Sequence, residues 1–454
     1  MKLKKIALLV TLGLFGCYAQ SGMAAGELTP AGAEKTGNKD NTIPAWNGAT
    51  DQPHGNWSWG KPRGDFSKYK DEKALFSIDA ANVDKYADKM SPGQIAMVKQ
   101  MKGYQMNVFP SHRGCSYPDF VINNTTGNAS KAKIAADGWS LADANLPGIP
   151  FPAPKAGIEV IWNYLMRYQG VGVEWADART TVSPRPGSEI GVDTRWEQAA
   201  YFPWGKKGTT SPAIVKGVQQ GFYYAFKEPP ALAGQALIQN YFLAKDAESF
   251  YYFTGQRRVR RLPNYAYDTP LIGFENQLPN DGLFMFYGNP DRFNWKIVGK
   301  KEMYIQYNNF GGTNSALRAQ GIKQPFVDND ARRYELHRVW VVEATVKEGV
   351  RHLTPKKVFY FDEDTWLASD SEDYDGQGKL WRQKESGVYP AWEIGACTNT
   401  ALYYLNDFIS GRYVTDSNVS GGGKDLRFYP EASGNPRMKD EFYSAENLRA
   451  ISDR

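Results

Sequence analysis

Leu336-His337-Arg338-Val339-Trp340-Val341-Val342-Glu343-Ala344-Thr345-Val346 is the stretch on which the fold turns. Leu336, Arg338, Trp340, Val342, Ala344 and Val346 share one parity, apolar apart from Arg338, while Glu335, His337, Val339, Val341, Glu343 and Thr345 share the other. A period of two over this length is a long strand with one dry and one mixed face, as in an antiparallel sheet. Just downstream, Lys357-Val358-Phe359-Tyr360-Phe361, a turn through Asp362-Glu363-Asp364, and Trp366-Leu367-Ala368 read as a hairpin. Upstream, Phe250-Tyr251-Tyr252-Phe253, Thr254-Gly255-Gln256 and Arg257-Arg258-Val259-Arg260-Arg261 read as another. From about Glu174 onward the chain is a succession of such runs. Its 13 Trp, 27 Tyr and 23 Phe suit strand faces and apolar cavities better than helix bundles.

Ahead of the strands the period changes. Val83, Tyr86, Ala87 and Met90 fall on one face of an expected helix. A second begins with Ser91 as N-cap, Pro92 at the first position and Gln94 completing a capping box; Ile95, Val98 and Met101 point inward and Gly103 stops it. Ile158, Ile161, Trp162 and Leu165 repeat the spacing in a helix expected to pack on a sheet. Residues 26–70, rich in Gly, Pro, Asn and Asp, read as an extended arm pinned by Trp46, Trp57 and Trp59. Residues 1–25 have the order of an export signal: Lys2, Lys4 and Lys5, an apolar run from Ile6 to Gly16, then small residues. Cleavage near Ala24 or Ala25 releases the chain into the periplasm; the alternative is a lipid anchor on Cys17, for which Phe15 is bulky. The remainder, 71–454, is expected to be one large domain with a helical first part (about 78–170) and a C-terminal extension (about 411–454).

The formal charge of +5 falls to +2 without the leader's three lysines, too little for a protein that neutralises many phosphates, so nucleic acid is not an expected partner. Signatures of zinc proteases, serine hydrolases, phosphate loops and paired-cysteine redox sites are absent, and the four His are far apart. No catalytic residue, metal site or cofactor is expected. Asp370-Ser371-Glu372-Asp373-Tyr374-Asp375-Gly376 resembles a calcium loop only until its twelfth position, which is Arg382, and reads as a solvated turn. Arg258 and Arg260 share one parity of their strand and Arg257 and Arg261 the other, so some guanidinium is expected near the concave or core side. There it would pair nearby acids or anchor an anionic group. Arg338, alone on its apolar face, reads as an internal ion-pair partner or a ligand anchor. Cys115 and Cys397, an even pair in an oxidising compartment, admit one long-range disulfide or two buried thiols.

Several stretches, in order along the chain, resemble one family. They are Leu28-Thr29-Pro30 with Gly32-Ala33-Glu34 and Ile43-Pro44-Ala45-Trp46; Pro150-Phe151-Pro152 with Trp162-Asn163; Gln256 to Arg261 followed by Tyr267-Asp268-Thr269-Pro270; Trp295-Lys296 with Gly299-Lys300-Lys301-Glu302-Met303-Tyr304; Arg338-Val339-Trp340; and Asp373-Tyr374-Asp375-Gly376 before Leu380-Trp381-Arg382. Together they resemble exported proteins of Gram-negative bacteria catalogued as a domain of unknown function and labelled outer-membrane lipoprotein-sorting-like. The resemblance runs from about Leu28 to the C-terminus. It implies a LolA/LolB-like fold: α+β and β-dominated, a strongly curved antiparallel sheet forming an unclosed barrel, with helices on the concave face and an apolar cavity between. It also implies association with a transporter of the resistance-nodulation-division type and an outer-membrane barrel protein. It brings no catalytic residues.

Four functions follow in order of expectation. The first is a periplasmic carrier for a lipid or acylated molecule, held by a cavity lined by Trp162, Trp295, Tyr304, Arg338, Trp340 and Phe359; each buried CH₂ of cargo is worth ~0.8 kcal/mol. The second is glycan binding on Trp and Tyr faces. An enzyme comes third, requiring a His or acid of shifted pKa on the cavity wall. An adaptor that docks a transporter is the fourth.

Overall fold

The computed structural model describes residues 27–48, 50–263, 265–311, 326, 329–401, 403–419 and 423–453. The export signal and Cys17 lie outside them. One sheet of sixteen strands dominates. Its first part comprises β1 (Phe76–Ile78) and β2 (Met106–Val108); a small separate hairpin, β3 (Lys133–Ile134) and β4 (Leu141–Asp143), follows. The sheet resumes with β5 (Gly172–Val182), β6 (Val192–Tyr201), β7 (Val218–Glu228), β8 (Ala236–Phe242), β9 (Glu248–Phe253) and β10 (Arg258–Arg261). It continues with β11 (Phe293–Gln306), β12 (Tyr334–Val346), β13 (Lys356–Asp362), β14 (Ala368–Tyr374) and β15 (Leu380–Ser386). A second small hairpin, β16 (Tyr389–Ala391) and β17 (Ala396–Thr398), precedes β18 (Tyr403–Asp407), β19 (Arg412–Val419) and β20 (Leu426–Tyr429).

The strand order is β1-β2-β12-β13-β14-β15-β18-β19-β5-β6-β7-β8-β9-β10, with β11 also on β12 and β20 also on β5. Neighbours are antiparallel except β2 with β12. The ends do not meet, so the sheet is curved and unclosed, as the family resemblance implied. Register slips supply bend and twist: they fall at Ile297/Gly299, Tyr360/Phe361, Asp373/Tyr374, Trp175/Ala178 and Arg195/Trp196, among others. Each extra residue kinks its strand.

Four α-helices stand among the described residues. Helix α1 (Pro92–Gln100) starts as its sequence dictates: Ser91 Oγ accepts from the Gln94 amide at 3.1 Å and the Gln94 side chain accepts from the Ser91 amide at 3.1 Å. Helix α2 is Asp119–Lys131, α3 Gly157–Leu165 and α4 Ala445–Ser452. Helix α3 lies on β11 and β12 inside the main core. It gets that close because position 157 is Gly: a Cβ there would sit 2.5 Å from the Trp295 carbonyl carbon. Along β7, Phe222 and Tyr224 join the α3 core, whereas Tyr223 and Ala225 join Tyr443 and Leu448. Helix α4 therefore covers the opposite face of the sheet.

Three local expectations are corrected. The helix expected over Val83–Met90 is two 3-10 turns, Val83–Lys85 and Ala87–Lys89. Asn82 bonds the Asp79 amide and the Ser77 carbonyl and sets an irregular entry. Ser91 must turn extended to cap the next helix, leaving too short a run to sustain its own. The acidic stretch is not a solvated turn: Asp370, Ser371, Glu372 and Asp373 are interior residues of β14, and exposure begins only at residues 376–379. Arg258 and Arg260 do not face the core; β10 is an edge strand, and they and Arg261 are exposed. Arg257 sits at the corner with φ 49°.

Candidate functional site

The inner wall of the sheet carries many of the rings expected of a cavity. Trp162 is fully buried, its indole N–H donating to the Trp139 carbonyl at 2.6 Å. Trp340 lies parallel to Trp366 at 5.9 Å, with Lys300 4.7 Å from its ring. Phe359 is fully buried, 5.7 Å from the half-buried Trp295. Tyr304 stands apart, in a second cluster with Phe76, Tyr86, Met97 and Leu336.

The hollow is filled from within the chain. Residues 271–289, between β10 and β11, cross it without a strand. Leu283, Phe284, Met285, Phe286 and Tyr287 are all at most 7% exposed. Phe284 stacks on Trp175 at 5.8 Å and meets Tyr403 at 5.4 Å; Phe286 meets Trp295 at 5.1 Å and Phe359 at 5.9 Å; Tyr287 meets Tyr241 at 4.4 Å. Beside this plug lie a space of ≈ 10 Å³ near Arg167 and Thr400 and one of ≈ 20 Å³ near Lys384 and Asp416. Either admits about one water. The plug carries backbone strain, since Phe284 (φ 48°) and Met285 (φ 73°) are consecutive non-glycine residues in the left-handed region.

Polar ties hold the plug. The Tyr164 hydroxyl donates to the Phe284 carbonyl and Lys384 Nζ to the Met285 carbonyl at 3.2 Å. Tyr241 donates to Asn280 at 3.0 Å. Asp281 is the main anchor: His352 Nε2 lies 2.8 Å from its carboxylate and Lys357 Nζ 3.5 Å. The His352 Nδ1 lies 3.0 Å from the Thr354 amide nitrogen and 3.2 Å from the Thr354 carbonyl oxygen, which holds the ring against Asp281. Burial alone would raise the Asp281 carboxyl; Lys357, His352 and Lys384 outweigh it and bring it down to about 2. Burial lowers the Lys384 ammonium to about 8 against the pull of Asp373.

A second buried cluster ties down the N-terminal arm. Arg113 clasps Asp364 through Nε at 2.9 Å and Nη2 at 2.7 Å and donates to the Glu34 carbonyl at 2.6 Å. Arg338 donates to Glu363 at 3.3 Å and to the Thr36 carbonyl at 3.0 Å. His337, Asp362 and Asp364 bring ligand-type atoms within 4.8 Å of one another, a set that could hold a metal. Their present partners are protein: Thr365 donates to Asp362 at 2.6 Å and His337 lies 3.4 Å from Glu335. Burial and Asp364 push the Asp362 carboxyl up to about 7. Cys115 and Cys397 form a disulfide, with Cα atoms 5.6 Å apart.

The profile of a family described as protein of unknown function, DUF1329, matches residues 77–449. The chain belongs to the DUF1329 family. It is similar to the uncharacterized protein PA3922 of Pseudomonas aeruginosa, 36% identical over 430 residues that cover 91% of this chain and 92% of the relative. Among solved structures it is similar to a domain of Vibrio parahaemolyticus described as an outer membrane lipoprotein-sorting protein (TM-score 0.44, 12% identity, 64% of this chain, 98% of that one). It is also similar to the LolA superfamily protein NE2245 of Nitrosomonas europaea (TM-score 0.37, 10% identity, 64% of this chain, 98% of that one).

Among the residues this DUF1329 chain offered as ligand contacts, Trp162, Trp295, Trp340 and Phe359 share the main core. Arg338 is committed to Glu363 and the arm. Arg258 and Arg260 lie on a distant edge. Sequence reading missed the plug and its charged seat, Asp281, Lys357, Asp373 and Lys384. A signal was present: Leu283-Phe284-Met285-Phe286-Tyr287 is an unbroken apolar run beside a lone acid at 281.

Proposed function

We propose that the protein is a periplasmic carrier that shelters a lipid or acylated molecule in the hollow now taken by residues 271–289. It would receive or deliver that cargo with a transporter of the resistance-nodulation-division type and an outer-membrane barrel. The observation that carries this reading is the plug itself. A strandless apolar segment, strained at Phe284 and Met285, lies against Trp175, Trp295 and Phe359 as a cargo would. Displacing it would uncover a wall of the apolar kind that ligand pockets use. The leader-like N-terminus and the Cys115–Cys397 disulfide support an oxidising compartment, and no helix among the described residues is long and apolar enough to cross a membrane.

Solvent extraction and mass spectrometry of protein purified from the cell envelope test this. The expected result is a stoichiometric apolar co-purifying molecule, increased when Phe284→Ala and Met285→Ala loosen the plug. If neither the native protein nor the loosened variant yields any, the carrier reading fails and the filled interior favours an adaptor.

A further inference from the structure

We propose that the cargo is an amphiphile with an anionic end, a carboxylate or phosphate on an alkyl chain, and that its head takes the seat on Lys357 and Lys384 that Asp281 now occupies. The inference rests on the carrier reading and adds the chemistry of the ligand.

Lys357 and Lys384 lie on the inner wall, side chains 0% and 4% exposed. Two carboxylates balance them. Asp373 is part of β14 and stays with the wall, 3.6 Å from Lys357 and 3.7 Å from Lys384. Asp281 belongs to the plug, 3.5 Å from Lys357, and the same plug supplies the Met285 carbonyl to Lys384. Nearby Arg382 is already turned to Asp407, its Nε 3.2 Å from that carboxylate, and His352 Nε2 lies on Asp281 at 2.8 Å. With the plug seated, two ammonium groups therefore face two carboxylates.

Withdrawal of the plug changes that balance. Two buried ammonium groups would then share Asp373 alone, among the rings of Phe293 and Phe359, each about 5.9 Å from one of them. An uncompensated charge in such surroundings costs several kcal/mol. A neutral hydrocarbon can replace Phe284 and Phe286 but not Asp281. An acyl chain with an anionic end replaces both, because the plug presents the same order: a carboxylate at 281, then apolar side chains from 283 to 287. Lysine ammonium groups have three donors each and suit carboxylate and phosphate oxygens alike.

Isothermal titration calorimetry on the full mature chain at neutral pH tests the assignment with dodecanoate, dodecyl phosphate and dodecanol, three ligands of one chain length. The anions should bind about ten-fold or more tighter than the alcohol, the worth of a charge-assisted contact. Whichever anion binds more tightly distinguishes a fatty-acid head from a phospholipid-like one. Asp281→Asn should tighten both anions by a larger factor than dodecanol; Lys384→Met should remove the preference. Equal binding of dodecanol and the anions to the native chain would overturn the head-group assignment while leaving the carrier reading standing. No binding of any of the three to either the native chain or Asp281→Asn would overturn both. The native-chain comparison decides by itself if a variant fails to fold.

Discussion

Asp281 and Lys357 show what a single buried charge does here. Removing one partner leaves the other without its counter-ion, so Lys357→Met is expected to cost about 3–5 kcal/mol in urea unfolding. The double variant with Asp281→Asn should cost clearly less than the sum of the singles, which is the coupling a double-mutant cycle reads. Charge burial also sets the pH response. Burial pushes Asp416 from 3.8 up to about 6 against its hydrogen bonds to Thr180 and Ser417. Between those values the folded protein holds a proton that the unfolded chain has released, so stability falls as pH rises through that window. Asp362, up at about 7, extends the fall. Asp281, down at about 2, acts in the other window: its contribution is complete above about 4 and is lost on acidification toward 2. The melting temperature should therefore peak near pH 4–5, and Asp416→Asn should flatten its decline up to pH 6. A decline of unchanged steepness would refute that assignment.

At the scale of elements, what could be read from sequence depended on whether the signal was local. Helix α1 was legible because Ser91, Pro92 and Gln94 carry their own capping chemistry. Helix α3 was legible because its apolar spacing is strong. Helix α2 was not, because apart from Val121 its buried side is Asn124, Thr125 and Asn128. Those amides donate to the carbonyls of Pro147, Gly208, Asn145 and Ile149 at 2.9–3.0 Å, partners that periodicity cannot reveal. Strand β14 failed to announce itself for a related reason. Its acids are buried against Lys357 on β13 and Lys384 and Gln383 on β15, and those neighbours exist only after pairing. Trp162, at the centre of α3, is the element's keystone: Trp162→Ala should cost about 3–5 kcal/mol. Ser91→Ala, which removes only a cap, should cost about 1 kcal/mol. Chemical denaturation of the two variants separates them, and equal losses would contradict the placement of α3 in the core.

Across the whole molecule, the chain ends and middle are fastened to one curved wall. The arm is held by Arg113, Arg338 and the pairing of Arg63 with Glu393, and the disulfide joins residues 282 apart in sequence. In the chain-entropy view, closing so long a loop is worth about 5 kcal/mol, so reduction should lower the melting temperature markedly while Arg258→Ala on the exposed edge should not. Against this fastened frame, residues 271–289 form a strandless segment packed by its rings and strained at Phe284 and Met285. The central claim is that a cargo exchanges with them. Hydrogen–deuterium exchange with and without saturating dodecanoate measures this directly. The account predicts that amides of 283–287 lose protection by about ten-fold or more on ligand addition while those of β7 and β12 keep theirs. Unchanged or increased protection at 283–287, with dodecanoate demonstrably bound, would contradict it.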